Sequence, residues 1–393
     1  MEIAIEQALE HYPRHQKLVE RLGEYPVLQE YVGEKLIVIE NSIEQFLANY
    51  RRYKGVNGAM HAPEKPESSD VRIQCEALKY ALVSMGGSRK RPLFAYMNHD
   101  LVRADKQPHN HLDDLVLIPE FVHIGSLIDD DKDDDTKKRG GVSSLYTHDE
   151  YKELAKGISE ILYQGAGFFF DHPKIFLRNW SDNRKGRMGE GKANRISRLV
   201  SRTIREGFSE GQMPDVTLSK TDAIMTEDRP PREKCLDIAL KKSSIPLAAR
   251  VGAIMGGATI EQEENLGEIA NYVGISYQLK DDIRDLDDED IRGCRGGNKP
   301  TLPVIIAFEK AEVARELTRI FPPLEPSGWF GLFTRSDRSR AIEAVKIIRE
   351  CGAVEETQRI ADEYRNRAMG GLKAWGTHES ADIYRQAIEY ILR

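Results

Sequence analysis

The chain has 393 residues, with 57 Lys and Arg against 64 Asp and Glu, a formal net charge of −7 and 40% hydrophobic residues. That is a soluble globular balance with enough apolar mass for a sizeable core, and the negative charge argues against a protein that binds DNA or RNA by neutralising many phosphates. Four dispersed cysteines without metal-ligand or redox spacing, and no apolar run of about 18 residues, fit a cytoplasmic protein with no integral membrane segment.

Apolar residues recur at three- and four-residue intervals along most of the chain, and alternating patterns are scarce, so the fold is expected to be all-α. The opening segment, MEIAIEQALEHYPRH, is acidic and amphipathic and has no apolar signal core. A helical extension to about residue 55 and a turn-rich linker, VNGAMHAPEKPESSD, give an N-terminal segment 1–70. Residues 71–393 form a helical body that no composition break divides.

Within the body, GGSRKRP (Gly86–Pro92) combines glycines that let backbone approach a ligand with Arg89, Lys90 and Arg91 as phosphate donors. An apolar stripe, Ile118, Val122 and Ser126, then runs straight into DDDKDDD (Asp129–Asp135), with His123 one to two turns ahead. Six aspartates in seven residues oppose the helix they sit on, so something cationic is expected to relieve them. KKRGG (Lys137–Gly141) follows and offers a second phosphate site. A glycine-rich basic stretch at 181–195 reads as an insertion, and KKSS (Lys241–Ser244) is a further basic cluster. A second apolar stripe, Leu266, Ile269, Val273 and Tyr277, continues at the same spacing into Asp281 and Asp285. GGNKPTLP (Gly296–Pro303) and a proline- and aromatic-rich insertion at 322–339 complete the set.

In each acidic cluster a core-facing stripe turns into carboxylates, which would be prohibitive to bury unpaired. Hard carboxylate oxygens on two helices suit Mg²⁺, which takes one or two carboxylates and completes its octahedron with water and phosphate. Acidic clusters for Mg²⁺ and basic clusters for phosphate together imply a diphosphate substrate bridged by metal.

In order, Gly86–Pro92, Asp129–Gly140, Gly211–Asp215, Lys242–Ser243, Tyr277–Asp285 and Lys299–Pro303 resemble the motifs of the trans-isoprenyl diphosphate synthases, and Glu120 and His123 fit the positions ahead of the first aspartates. The resemblance covers roughly residues 70–393. It implies antiparallel helices around a deep central cavity, a homodimer, and three Mg²⁺ ions between the aspartate motifs and an allylic prenyl diphosphate. The reaction implied is metal-assisted ionisation of that diphosphate and attack on the cation by isopentenyl diphosphate. By resemblance the catalytic set is Asp129, Asp130, Asp133, Lys242, Asp281 and Asp282, and the metal ligands come from Asp129, Asp130, Asp133, Asp134, Asp281 and Asp285. The allylic diphosphate falls to Lys138, Lys242, Ser243, Gln278 and Lys299, and the isopentenyl diphosphate to Arg91, His123 and Arg139, with Arg89 as a further basic donor.

The chain departs from the family pattern at several points. Ser88 stands where the family has lysine, Lys138 where it has arginine, and Gly165-Ala166 where it has Gly-Asp. The first aspartate motif has two registers. Counting back from Arg139-Gly140 selects Asp129, Asp130 and Asp133, the one preferred here. Counting forward from His123 selects Asp130, Asp131 and Asp134. Family members with short products tend to plug the cavity with aromatics one turn before the first motif. Here that turn holds Ile124, Gly125 and Ser126, so the resemblance implies a product of twenty carbons or more, unless Phe168–Phe170 block the bore from another helix. Ser88 and Lys138 also keep open a cyclase of the same fold that needs no isopentenyl diphosphate. A non-catalytic subunit of a prenyl synthase is the third reading, against which both complete aspartate motifs argue.

Overall fold

A computed structural model describes residues 12–55, 69–103, 112–171, 190–219, 230–286, 301–320 and 335–393. Helices dominate them, as the periodicity requires. In chain order they are α1 (Pro13–Arg21), α2 (Pro26–Gly55), α3 (Ser69–Lys79), α4 (Lys90–Val102), α5 (Ile118–Asp133), α6 (Ala155–Asp171), α7 (Glu190–Glu206) and α8 (Met213–Ser219). They continue with α9 (Arg232–Lys242), α10 (Ile245–Gly256), α11 (Ile260–Asp285), α12 (Leu302–Glu309), α13 (Ala311–Ile320), α14 (Arg335–Glu350), α15 (Ala353–Gly371) and α16 (Glu379–Ile391).

The chain forms two compact units. One comprises Met1–Ile204, Ser244–Glu268 and Lys373–Tyr390, and the other Arg205–Ser243, Ile269–Leu372 and Ile391–Arg393. The chain passes between them several times, which explains why composition along the sequence marks no break. In the first unit, α4 packs along α10, and α5 along α6. Pro92 lies in the first turn of α4, where its missing N–H costs nothing, and Leu93–Leu101 are buried throughout, so this helix is enclosed on all sides. α2 lies against α3 and α4 and buries Leu36, Ile39 and Ile43 completely. The second unit has its own core of Leu279, Val304, Ile305, Phe308, Leu317 and Ile348 among others.

Two local features stand next to the sequence motifs. A wider π turn, Tyr80–Ser84, closes with the Met85 N–H on the Tyr80 carbonyl at 3.0 Å, directly ahead of Gly86-Gly87. Another, Gly207–Gln212, precedes α8. Such turns insert one residue into a helix and often mark functional positions. The KKRGG cluster folds as a two-stranded hairpin, β1 (Lys138–Arg139) and β2 (Val142–Ser143), pairing Lys138 with Ser143 and Arg139 with Val142. Its turn residues Gly140 and Gly141 both have positive φ, at 59° and 87°. A two-residue turn of that kind matches strand twist and requires glycine-like backbone freedom.

Candidate active site

In the first unit, the start of α4, the C-terminal half of α5 and the hairpin bring basic and acidic groups together. The loop before α4 ends at Arg89, whose φ of 54° lies in the left-handed region. Its guanidinium is 2% exposed. Nε donates to Glu40 at 2.6 Å, and one Nη to Glu120 at 3.0 Å. The other Nη donates to Glu40 at 3.3 Å and to the Leu82 carbonyl at 2.6 Å. This corrects the sequence reading of Arg89 as a phosphate donor. An arginine buried beside two carboxylates is committed to them, because separating the set would strand charge in a low-dielectric interior.

Arg91 and His123 are differently placed. Arg91 Nε donates to Ser244 Oγ at 3.2 Å, just ahead of α10. The His123 ring sits in the field of Arg91, Arg139 and Lys90. Burial first, and then these three cations, push its pKa well below 6.5, so the imidazole is neutral at pH 7. It therefore offers hydrogen bonding without adding charge.

The acidic run divides by direction. Asp129 accepts a hydrogen bond from the Tyr163 hydroxyl of α6 at 3.1 Å. Burial raises its pKa, against the hydrogen bonds from Ser159 and Tyr163. Asp131 is 1% exposed and takes Arg139 Nε on both carboxylate oxygens at 2.9 Å. Asp130 and Asp134 are half-buried and stand seven and eleven positions after His123, two and three turns along one helical face. The Asp134 N–H still reaches the Asp130 carbonyl at 2.8 Å, which keeps the helical path. Asp133, the last residue of α5, is exposed, as is Lys138. The turn before the acidic run is packed: Ile124 is buried, and a Cβ on Gly125 would meet the Tyr163 ring at 3.1 Å. The side chains of Phe168–Phe170 lie outside the described residues.

In the second unit, Lys242 ends α9 and is ion-paired with Asp215 of α8. Ser243 follows it, with its N–H on the Leu240 carbonyl at 3.1 Å. On α11, Gln278 donates to Asp282 at 2.9 Å, and Arg284 to Asp281 at 2.7 Å. Asp285 ends the helix. The buried Cys235 thiol is pushed up to about 12 by burial and by the nearby charges of Asp282 and Asp215, which groups these carboxylates with Lys242. Lys299 lies outside the described residues.

Among the described residues, no three His, Cys, Asp or Glu side chains converge to hold a metal ion by protein ligands alone. The acidic runs offer carboxylate pairs spaced one turn apart. That donor set fits Mg²⁺ bound through a few carboxylates together with water and substrate phosphate. Sequence reasoning missed three participants, Arg14, His15 and Glu40. They lie in the N-terminal segment, and no motif near them points to the site. For the hairpin, the Gly140-Gly141 pair is the usable signal.

Comparisons with known proteins give the family and the fold. The family model described as polyprenyl synthetase matches residues 72–322, and the chain belongs to that family. The chain is 24% identical to geranylgeranyl pyrophosphate synthase of Geoglobus acetivorans over 316 residues, 78% of this chain and 86% of that protein. It is 24% identical to octaprenyl diphosphate synthase of Escherichia coli (strain K12) over 327 residues, 81% of this chain and 88% of that protein. Geranylgeranyl pyrophosphate synthase 11, chloroplastic, of Arabidopsis thaliana is 30% identical over 283 residues, 68% of this chain and 73% of that protein. The crystal structure of geranylgeranyl pyrophosphate synthetase from Pyrococcus horikoshii Ot3 superposes with a TM-score of 0.70 at 20% identity, covering 94% of this chain and 98% of that one, which establishes the shared fold. No helix among the described residues is long and apolar enough to cross a membrane.

Proposed function

We propose that this enzyme, a prenyltransferase, condenses isopentenyl diphosphate with an allylic prenyl diphosphate and releases a product of twenty carbons or more. The observation that carries the reading is the grouping of Arg91, Arg139 and Lys90 around a neutral His123, directly beside the acidic run of α5. These groups hold a diphosphate by charge-assisted hydrogen bonds. Lys242, Gln278 and Lys299 are proposed to bind the allylic diphosphate with Lys138 and Ser243. Mg²⁺, as many as three ions, would neutralise charge on the departing diphosphate. A homodimer in the cytoplasm is the expected form of the enzyme, although several relatives are chloroplastic by name.

The directions of the aspartates favour the second register of the first motif. We assign Asp130 and Asp134, in line with His123, as the metal carboxylates of α5. Asp131 then anchors Arg139, and Asp129 ties α5 to Tyr163. In the second motif, Asp281 and Asp285 are the proposed ligands, while Asp282 is held by Gln278.

A product assay tests the whole reading. Protein with Mg²⁺ and farnesyl or geranylgeranyl diphosphate is incubated with and without isopentenyl diphosphate, and dephosphorylated products are identified by mass spectrometry. An elongated prenyl alcohol that requires isopentenyl diphosphate is expected. A cyclic or hydrocarbon product formed without it would make the chain a cyclase. In the same assay, Asp134→Ala is expected to lose about a hundredfold or more in kcat, as for other groups that stabilise transition-state charge. Asp133→Ala should stay within about tenfold, and the reverse order would restore the first register.

A further inference from the structure

We propose that Arg14 is a positioning residue for the homoallylic diphosphate, fastening two basic loops into one anion-binding surface; the proposal rests on the prenyltransferase reading above. Arg14 lies on α1, far upstream of every motif. One Nη donates to the Gly86 carbonyl at 2.7 Å, and the other to the Gly140 carbonyl at 2.6 Å. Gly86 opens the loop that leads to Arg91, and Gly140 directly follows Arg139. A single rigid guanidinium therefore joins segments 54 residues apart in the chain.

The tie has two physical effects. It fixes the spacing between the backbones that carry Arg91 and Arg139, so that one diphosphate meets both without the loops first having to be ordered. It also covers two carbonyl oxygens whose negative ends would otherwise face a phosphate. Arg14 is itself held in place. Its neighbour His15 bonds Glu40 through Nε2 at 2.7 Å, and Tyr12 donates to Glu44 at 2.9 Å. Glu40 is the same carboxylate that receives Arg89. Leu22, 1% exposed, anchors the far end of α1. These contacts keep α1 docked without Arg14, so its removal is expected to change the loops rather than the fold.

The test compares full-length wild type, Arg14→Ala and Arg14→Lys. Binding of isopentenyl diphosphate to the resting, metal-free protein is measured by titration calorimetry, and KM for each substrate by steady-state kinetics. Arg14→Ala is expected to weaken isopentenyl diphosphate binding roughly tenfold and to raise its KM equally. The KM for the allylic substrate and the melting temperature are expected to hold. Arg14→Lys should recover part of the loss, since one ammonium replaces a two-pronged contact. An unchanged affinity in Arg14→Ala would overturn the proposal. So would an equal loss for both substrates with a lowered melting temperature, which marks a merely structural role. Because calorimetry needs no turnover, a wild type that binds the diphosphate but does not elongate would refute the assigned reaction while the Arg14 dependence is still read. A wild type that binds no isopentenyl diphosphate overturns both.

Discussion

Arg89 bears two costs at once. Its left-handed backbone carries a penalty of about 1–3 kcal/mol, and its charge is withdrawn from water. The offset is local and complete on the guanidinium side: two carboxylates and one carbonyl take its donors. Replacing it by methionine keeps much of the volume but leaves Glu40 and Glu120 facing each other without a cation. Arg89→Met is expected to lower the unfolding free energy by about 3–5 kcal/mol at pH 7, measured by urea denaturation. The loss should shrink in acid. Burial works to raise the Glu40 pKa, but the His15 hydrogen bond and the Arg89 charge outweigh it and hold it below 4.5. A depressed carboxyl contributes stability above its unfolded pKa and loses it as pH falls through the folded one. Wild type therefore gives up this contribution as pH falls from 4.5 through the depressed folded value, and the two curves converge below it. The sequence does show a basic loop here. It does not separate the arginine turned inward from the one turned outward, because the deciding partner, Glu40, sits 49 positions upstream.

Helix pairs set where those loops begin. α4 and α10 approach so closely at Gly252 that a Cβ there would lie 2.0 Å from the Ala95 carbonyl oxygen. No rotamer change relieves a clash with backbone, so Gly252→Ala must push the helices apart. A destabilisation of at least about 1–3 kcal/mol is expected from chemical unfolding. The same displacement moves Arg91, at the start of α4, away from Ser244, ahead of α10, so KM for isopentenyl diphosphate should rise as well. Gly370→Ala on α15 is the control. Nothing lies within 4 Å of its would-be Cβ, and gaining alanine inside a helix should be neutral or stabilising by as much as about 1 kcal/mol. Helices of this kind were legible from apolar spacing alone, since the stripes through Val122 and Val273 lie on α5 and α11. The hairpin was not, because its strands are two residues long and carry no alternation. The directions of Asp129, Asp130 and Asp131 were equally hidden, for they depend on Tyr163 and Arg139 rather than on the run itself.

At the scale of the molecule, the sequence places a boundary near residue 70, where a polar linker interrupts the helical pattern. Packing gives α2 a different standing. It contributes Leu36, Ile39 and Ile43 to the core of the first unit. Its Tyr31 donates to Asp100 at 2.8 Å, the Phe46 ring stands 4.6 Å from Phe121, and Glu40 balances Arg89. Each fully buried leucine or isoleucine contributes about 1.5–3 kcal/mol. Three of them already rival a typical stability margin of about 5–15 kcal/mol. A linker is thus a mark of chain connectivity and says little about which side of it completes the core. A protein beginning at residue 69 retains every aspartate and basic motif, so by motif content alone it should fold and turn over. The packing argues the opposite: it should lose its near-ultraviolet circular dichroism, be cleaved rapidly by protease across α4 and α5, and show no cooperative melt. Co-expression of residues 1–68 as a separate chain should restore all three properties, since what is missing is a packing surface rather than a covalent bond. A truncated protein that melts cooperatively and elongates substrate would instead make α1 and α2 an appended element, and would remove the basis for a stabilising partnership between Glu40 and Arg89.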